Sequence, residues 1–211
     1  ADLMLVSART GADDELAGVT LFAVDPKSAG IRIEPHRLAD ASNASRVTLA
    51  DVEVDADAVV GEVDHGRAPL ARLLAAGRTG ASAELLGVGG GAMDMTVNYL
   101  KDRKQFGVPI GSFQALQHRA AHLYAEMEVA RAAVLKAQQM LDSGQDASEA
   151  VAVAKAMTGL ATTLAVQEGV QMHGGIGMTD EYDVGLYMKR QRVLAEMFGD
   201  SDYHADQLAR M

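Results

Sequence analysis

Residues 114–144 read QALQHRAAHLYAEMEVARAAVLKAQQMLDSG, and the spacing of their apolar positions decides the fold class. Leu116, Ala120, Leu123, Met127, Ala130, Val134, Ala137 and Leu141 recur in a 4-3-4-3 stride. That stride lays one apolar stripe along about seven turns of helix, the pattern of a bundle helix. Asp142-Ser143-Gly144 closes it, since Gly adopts the left-handed turn that ends helices. Asp146, with Glu149 three residues on, predicts the cap of the next helix, whose apolar stripe is predicted as Val153, Met157, Leu160 and Leu164. A long helix is predicted before these, from about 68 to 101, and shorter ones after them, around 182–195 and 203–211. Three long helices with short links predict an up-down bundle.

Toward the N-terminus the texture changes. Residues 3–6, 19–24, 31–34 and 47–54 are short β-branched or apolar runs, the last two alternating apolar with polar as antiparallel strands with one wet face do. Turn residues separate them at 11–14, 25–30 and 41–44. The fold class expected is α+β: a partial antiparallel β-domain over 1–63, then an up-down helical bundle over 64–211. Four strands are too few for a closed barrel, and a chain that opens on Ala1 and enters a strand at once reads as part of a longer one.

The chain has 211 residues, 48% hydrophobic and 23% charged, a composition that folds. With 19 Lys+Arg against 29 Asp+Glu its net charge is -10, which argues against a nonspecific nucleic-acid binder but leaves room for a local basic pocket. The absence of cysteine removes disulfides, thiolate metal sites and thiol nucleophiles, and fits a reducing, cytoplasmic setting. No run of 18 uncharged apolar residues and no signal-like start is present, so no membrane span is expected.

Several motifs invite chemistry. Gly87-Val88-Gly89-Gly90-Gly91-Ala92 matches the letters of a dinucleotide fingerprint, but helix-forming residues precede it, so close helix packing is the better reading. Asp200-Ser201-Asp202-Tyr203-His204 alternates metal-type ligands, yet caps of this kind open helices, and no metal site is expected. His118, His122 and His173 lack the partners of a hydrolase triad. Gln171-Met172-His173-Gly174-Gly175-Ile176-Gly177 would bare backbone N–H groups to a phosphate or an adenine. Asp102-Arg103-Lys104-Gln105-Phe106-Gly107 sets two cations and an aromatic ring at a helix end.

At these last two segments the sequence resembles the acyl-CoA dehydrogenase family. Arg103 to Gly107 is similar to its R-x-x-F-G signature and Phe113-Gln114-Ala115-Leu116-Gln117 to the F-Q-x-x-Q that follows. Gln171 to Gly177 is similar to its Q-x-x-G-G-x-G turn, with Glu181-Tyr182 the sequel. Residues 42–54 resemble the end of the family's middle β-domain, so the resemblance covers essentially the whole chain and about half of a family member. It implies FAD-dependent α,β-dehydrogenation of an acyl-CoA in lipid β-oxidation. It also implies a homo- or hetero-oligomer, commonly a tetramer, joined through the helical bundle, with each flavin shared across a subunit interface. The residues implied to hold the cofactor are Arg103, Gln105, Phe106, Gln114, Gln171, Met172, Gly174 and Gly175, and those lining the active site are Arg78, Phe198 and Gly199.

The sequence departs from the family at the base. The family places its proton-abstracting Glu in a short loop that here reads Met197-Phe198-Gly199-Asp200, or on the first bundle helix at the position of Gly77. Neither Phe198 nor Gly77 can take a proton, and Asp200 replaces a flavin-contacting Thr with an acid that repels phosphate. Residues serving a neighbour's flavin are kept and those serving the chain's own site are lost. A non-catalytic subunit of a hetero-oligomeric dehydrogenase is therefore expected. The alternatives are a competent homo-oligomer with an atypical base such as Glu196, and a cofactor-free helical interaction module.

Overall fold

The computed structural model describes residues 2–11 and 18–211, which form two compact units, 1–74 and 75–211. In the first, β1 (Met4–Arg9) pairs antiparallel with β2 (Val19–Val24), joining Met4 to Val24 and Arg9 to Val19. A two-residue β5 (Val59–Val60) closes on the other edge of β2. β3 (Ile31–Arg37) and β4 (Asn43–Leu49) form a separate hairpin, turned by Ala41 at positive φ with the Asp40 carboxylate accepting from the Ser42 N–H. The strand predicted over 47–54 thus starts earlier and stops at Leu49, because Asp51 has positive φ and cannot continue a ladder. Buried Leu21 and Val24 anchor the β1–β2 sheet, whereas Ile33, Val47 and Leu49 of the hairpin are exposed. The turn expected over 11–14 falls, beyond Gly11, outside the described residues.

The helices are α1 (Arg67–Asp102), α2 (Gln114–Asp142), α3 (Ser148–His173), α4 (Val184–Glu196) and α5 (Ser201–Ala209). A two-residue hairpin, β6 (Lys104–Gln105) with β7 (Val108–Pro109), links α1 to α2. The predicted stripe of α2 is the one buried: Leu123, Met127 and Ala130 pack on Ala161 and Ala165 of α3, and Val134 and Ala137 on Val151 and Ala154. Rising numbers in α2 meet falling numbers in α3, so the two run antiparallel. Gly144 takes the positive φ expected past the end of α2.

Two expectations for α3 are corrected. It starts at Ser148, and Asp146 accepts the Ser148 N–H from outside the helix instead of capping it. Its buried face is only partly the predicted one: Met157 and Leu164 pack half-buried against the core, but Leu160 is 60% exposed, and the fully buried positions include Ala154, Thr158, Ala161, Thr162, Ala165 and Gly169. The reason is position in the fold: α3 packs against α2, α4 and α5 at once, and only small side chains let several helix axes approach one. The buried hydroxyls cost little, since Thr158 and Thr162 donate to the carbonyls of Ala154 and Thr158 one turn back. By length and composition α3 could also cross a membrane, yet 61% of its apolar window is buried within the bundle.

The glycine run of α1 is continuous helix, as its context predicted. A Cβ at Gly89 would lie 2.7 Å from the Met127 Cε and 2.9 Å from the Thr162 Cγ2, and one at Gly91 2.7 Å from the Tyr187 ring; one at Gly87 meets nothing. Replacing Gly89 with Leu should therefore cost roughly 1–3 kcal/mol through overpacking. Replacing Gly87 with Ala should stabilise by about 1 kcal/mol, urea denaturation of each variant being the check.

Candidate functional site

The residues singled out by sequence lie at the two ends of the bundle. Gly89 stands against Thr162, Thr96 against Gly169, and the Tyr99 ring 4.4 Å from that of His173, so α1 and α3 run parallel and finish together. Tyr182 closes over the same histidine at 4.7 Å. Arg103 follows Tyr99 by one turn and Gly174 follows His173 directly, which brings the two resembling segments to one end.

At that end the side chains are displayed rather than packed. Phe106 is 91% exposed and, with Gly107, forms a turn in which both residues have positive φ. Such two-residue hairpins favour Asn-Gly, and an aromatic residue there is strained. Folding alone gives no reason for the ring, whose one aromatic contact is an edge-on approach to Phe113 at 6.1 Å. Arg103 is exposed with no side-chain bond or ion pair among the described residues, as are Gln114 at the start of α2 and Gln171. Gln105 is exposed too, its amide bonded to the Lys104 carbonyl. Gly174 has positive φ, but Gly175 does not and nothing lies within 4 Å of where its Cβ would stand. Met172 differs from the rest, its side chain being buried in the bundle where it faces inward from α3.

The opposite end holds Gly77, Arg78 and the loop after α4. Phe198 and Gly199 have φ of 60 and 100, and the Phe198 ring lies on α1 where a Cβ at Gly77 would stand 2.9 Å from its Cζ. The Phe198 ring thus occupies the space that a side chain at Gly77 would take. The Phe198 carbonyl accepts from the Arg78 Nε at 3.3 Å and lies 3.1 Å from the His204 Nε2. Burial holds His204 below the usual histidine range, so Nε2 carries the proton it gives to that carbonyl. Lys155, wholly buried, donates to the Ala195 and Gly199 carbonyls at 2.9 and 2.8 Å. Asp200 caps α5 by accepting the Tyr203 N–H, the helix-opening role read from sequence. Glu196 is exposed and pairs with Arg192 at 3.2 Å. No group of three or more His, Asp or Glu able to hold a metal occurs among the described residues.

Lys155 went unremarked in the sequence, and His204 was read only as part of a helix-opening segment. The signal for Lys155 was there: it is the single charge between 150 and 167. The Gly77–Phe198 contact predicts that Gly77→Ala alone costs roughly 1–3 kcal/mol, and in a Phe198→Ala background less than about 0.5 kcal/mol. Additive costs in that double-mutant cycle would mean the ring does not rest on the helix.

Comparison with known proteins places the fold in a family. Residues 64–211 match the model of the acyl-CoA dehydrogenase C-terminal domain. The short/branched chain specific acyl-CoA dehydrogenase of Bos taurus mitochondria is 30% identical over 213 residues, covering 100% of this chain and 49% of that protein. Butyryl-CoA dehydrogenase of Megasphaera elsdenii superposes with a TM-score of 0.91 at 27% identity, over 100% of this chain and 56% of its own. A steroid ACAD designated Tcur3481-Tcur3483 does so at 0.85 and 30%, over 100% and 55%. The chain thus spans about half the length of the proteins it matches, over which it belongs to the acyl-CoA dehydrogenase family, residues 64–211 being that family's C-terminal domain.

Proposed function

We propose that this chain takes part in FAD-dependent α,β-dehydrogenation of an acyl-CoA, of fatty-acid or steroid side-chain type, by completing the flavin site of a neighbouring subunit that owns the base. One observation carries the reading: the cofactor-type residues and the empty base positions lie at opposite ends of α1. From Gly77 to Arg103 is 26 residues, or about 39 Å of helix, further than one dinucleotide extends. A flavin touched by Arg103 is therefore not the flavin beside Phe198.

The residues at the Arg103 end suit the cofactor. Arg103 would pair with the pyrophosphate as a charge-assisted donor, and Phe106 would pack on the cofactor and lose its exposure. Gly174 and Gly175 would offer backbone N–H groups at close approach, which explains glycine at 175 where this chain alone has room for a side chain. Gln105, Gln114 and Gln171 would add polar contacts, and Met172 would contribute through its backbone. Bound FAD supplies the acceptor for the β-hydride.

At the Phe198 end neither of the positions expected for the base carries a carboxylate, being Gly77 and Phe198. The Phe198 ring covers Gly77, Glu196 is turned to Arg192, Asp200 is committed to its cap, and neutral His204 donates to a carbonyl. An unlike partner with an intact base is the simplest complement, and the two-part designation of the Tcur3481-Tcur3483 steroid ACAD favours a hetero-oligomer.

The test is to express the full-length protein alone and together with a family member encoded beside it, recording flavin absorbance and acyl-CoA-dependent dye reduction. Flavin and turnover should appear only in the pair, and Arg103→Ala should strip flavin from it while leaving the subunits associated. Turnover by the lone protein would overturn the donor role and make Glu196→Gln the next variant. A pair without flavin would leave only the helical interaction module.

A further inference from the structure

We propose that Lys155 is a positioning residue for the 197–200 loop: from inside α3 it ties both ends of that loop and so fixes where the side chain at 198 stands over Gly77. The inference rests on reading this loop as the site where the family's base would act.

Among the described residues three side chains, Lys155, Arg78 and His204, reach this stretch of backbone, and of these Lys155 brackets it. Its Nζ donates to the Ala195 carbonyl in the last turn of α4 and to the Gly199 carbonyl beyond Phe198, closing a clasp around residues 196–198. The Ala195 carbonyl, in the last turn of α4, has no partner within the helix, and the Gly199 carbonyl lies in the loop beyond it, so without the ammonium both acceptors would lose this donor. Arg78 and His204 both meet the single carbonyl of Phe198. The Ser201 hydroxyl donates to the Ala156 carbonyl and docks the start of α5 rather than the loop. Phe198 sits inside the clasp at a φ of 60, a conformation its side chain does not favour and that surrounding bonds must impose.

Burying an ammonium is expensive, and its surroundings reflect that. The carboxylates of Asp200 on α5 and Glu196 on α4 favour its charge, Arg78 on α1 opposes it, and His204 on α5 faces the same cluster as a neutral ring. Burial outweighs the carboxylates and lowers Lys155 to about 8 from the ordinary 10.5. If the loop leaves α3 the amine regains its ordinary value, so the open form binds the proton more tightly. Raising the pH through this window therefore favours the closed loop, and two N–H groups remain on the neutral amine for the two carbonyls. Between pH 7 and 9 the open population should fall about tenfold, a range in which carboxylates and guanidinium groups as classes do not titrate.

Chymotryptic cleavage of the Phe198–Gly199 bond reads that population directly, with a peptide of residues 194–203 correcting for the protease's own pH dependence. Cleavage in the 141–147 connection serves as the internal control. In the unmodified chain the 198–199 rate should fall about tenfold from pH 7 to pH 9 while the control site stays level. Lys155→Met should cut at least about tenfold faster at 198–199 at pH 9 and lose the pH dependence. Lys155→Arg, which keeps donors but does not titrate, should restore slow cleavage without the pH limb. Equal acceleration at both sites in Lys155→Met would mean a merely structural lysine, and unchanged cleavage at 198–199 would overturn the proposal as well. Should Lys155→Met not fold, a flat pH profile in the unmodified chain overturns it alone. No flavin or thioester enters the assay, so failure of the donor-subunit reading leaves these rates as they are.

Discussion

How closely neighbouring helices can approach α3 governs the second unit. Along its buried faces stand Ala154, Thr158, Ala161, Thr162, Ala165 and Gly169, and partner helices bring larger apolar side chains to them, Leu123 and Met127 from α2 and Leu194 from α4. α1 answers in kind, giving Gly89 to Met127 and Gly91 to Tyr187. Each glycine costs its helix about 1 kcal/mol relative to alanine, and the dispersion gained by bringing packed surfaces together offsets it. This close parallel pairing of α1 and α3 makes the bundle a spacer with two distinct ends.

Those ends have opposite character. At the α1–α2 turn Arg103 and Gln114 are exposed without a side-chain bond among the described residues and Phe106 stands in solvent, while Gly174 and Gly175 at the end of α3 carry no side chain. At the α4–α5 loop every carbonyl from Ala195 to Gly199 that bears on the site has a donor, and a ring fills the gap left by a glycine. One end displays its side chains, and at the other the backbone is tied by the chain's own side chains while Phe198 stays part-exposed. Backbone strain marks both: within 75–211, Phe106 and Phe198 are the non-glycine residues with positive φ among those described. A bulky residue in that region is held there by its surroundings, which is why two such residues point to two sites.

Electrostatics at the Phe198 end follows from burial. A lysine inside an apolar helix would be ruinous alone, but here it ends on two carbonyls with carboxylates nearby, while the neighbouring histidine is kept neutral and cannot add a second buried charge. The negative charge of the whole chain has no bearing on this cluster, since local partners outweigh distant, screened ones.

The sequence by itself determined the helices, the change of texture from strand to bundle, and the motifs Arg103 to Gly107 and Gln171 to Gly177, because helical periodicity and glycine turns are local properties written in consecutive residues. It also determined that no carboxylate stands at Gly77 or Phe198, since identity is read without geometry. The buried face of α3 was only partly legible: hydrophobicity nominated Met157 and Leu164, which pack half-buried on the core, but also exposed Leu160, whereas packing against several helices selects for smallness, which a one-dimensional pattern does not rank. Nor could the sequence set Phe198 on Gly77, 121 residues apart, or join Lys155 to Ala195 and Gly199. Those contacts exist only once α1, α3, α4 and α5 have come together, and so only the tertiary structure decided that the Phe198 ring covers Gly77 and that a lysine from a third helix donates to the backbone on either side of that ring.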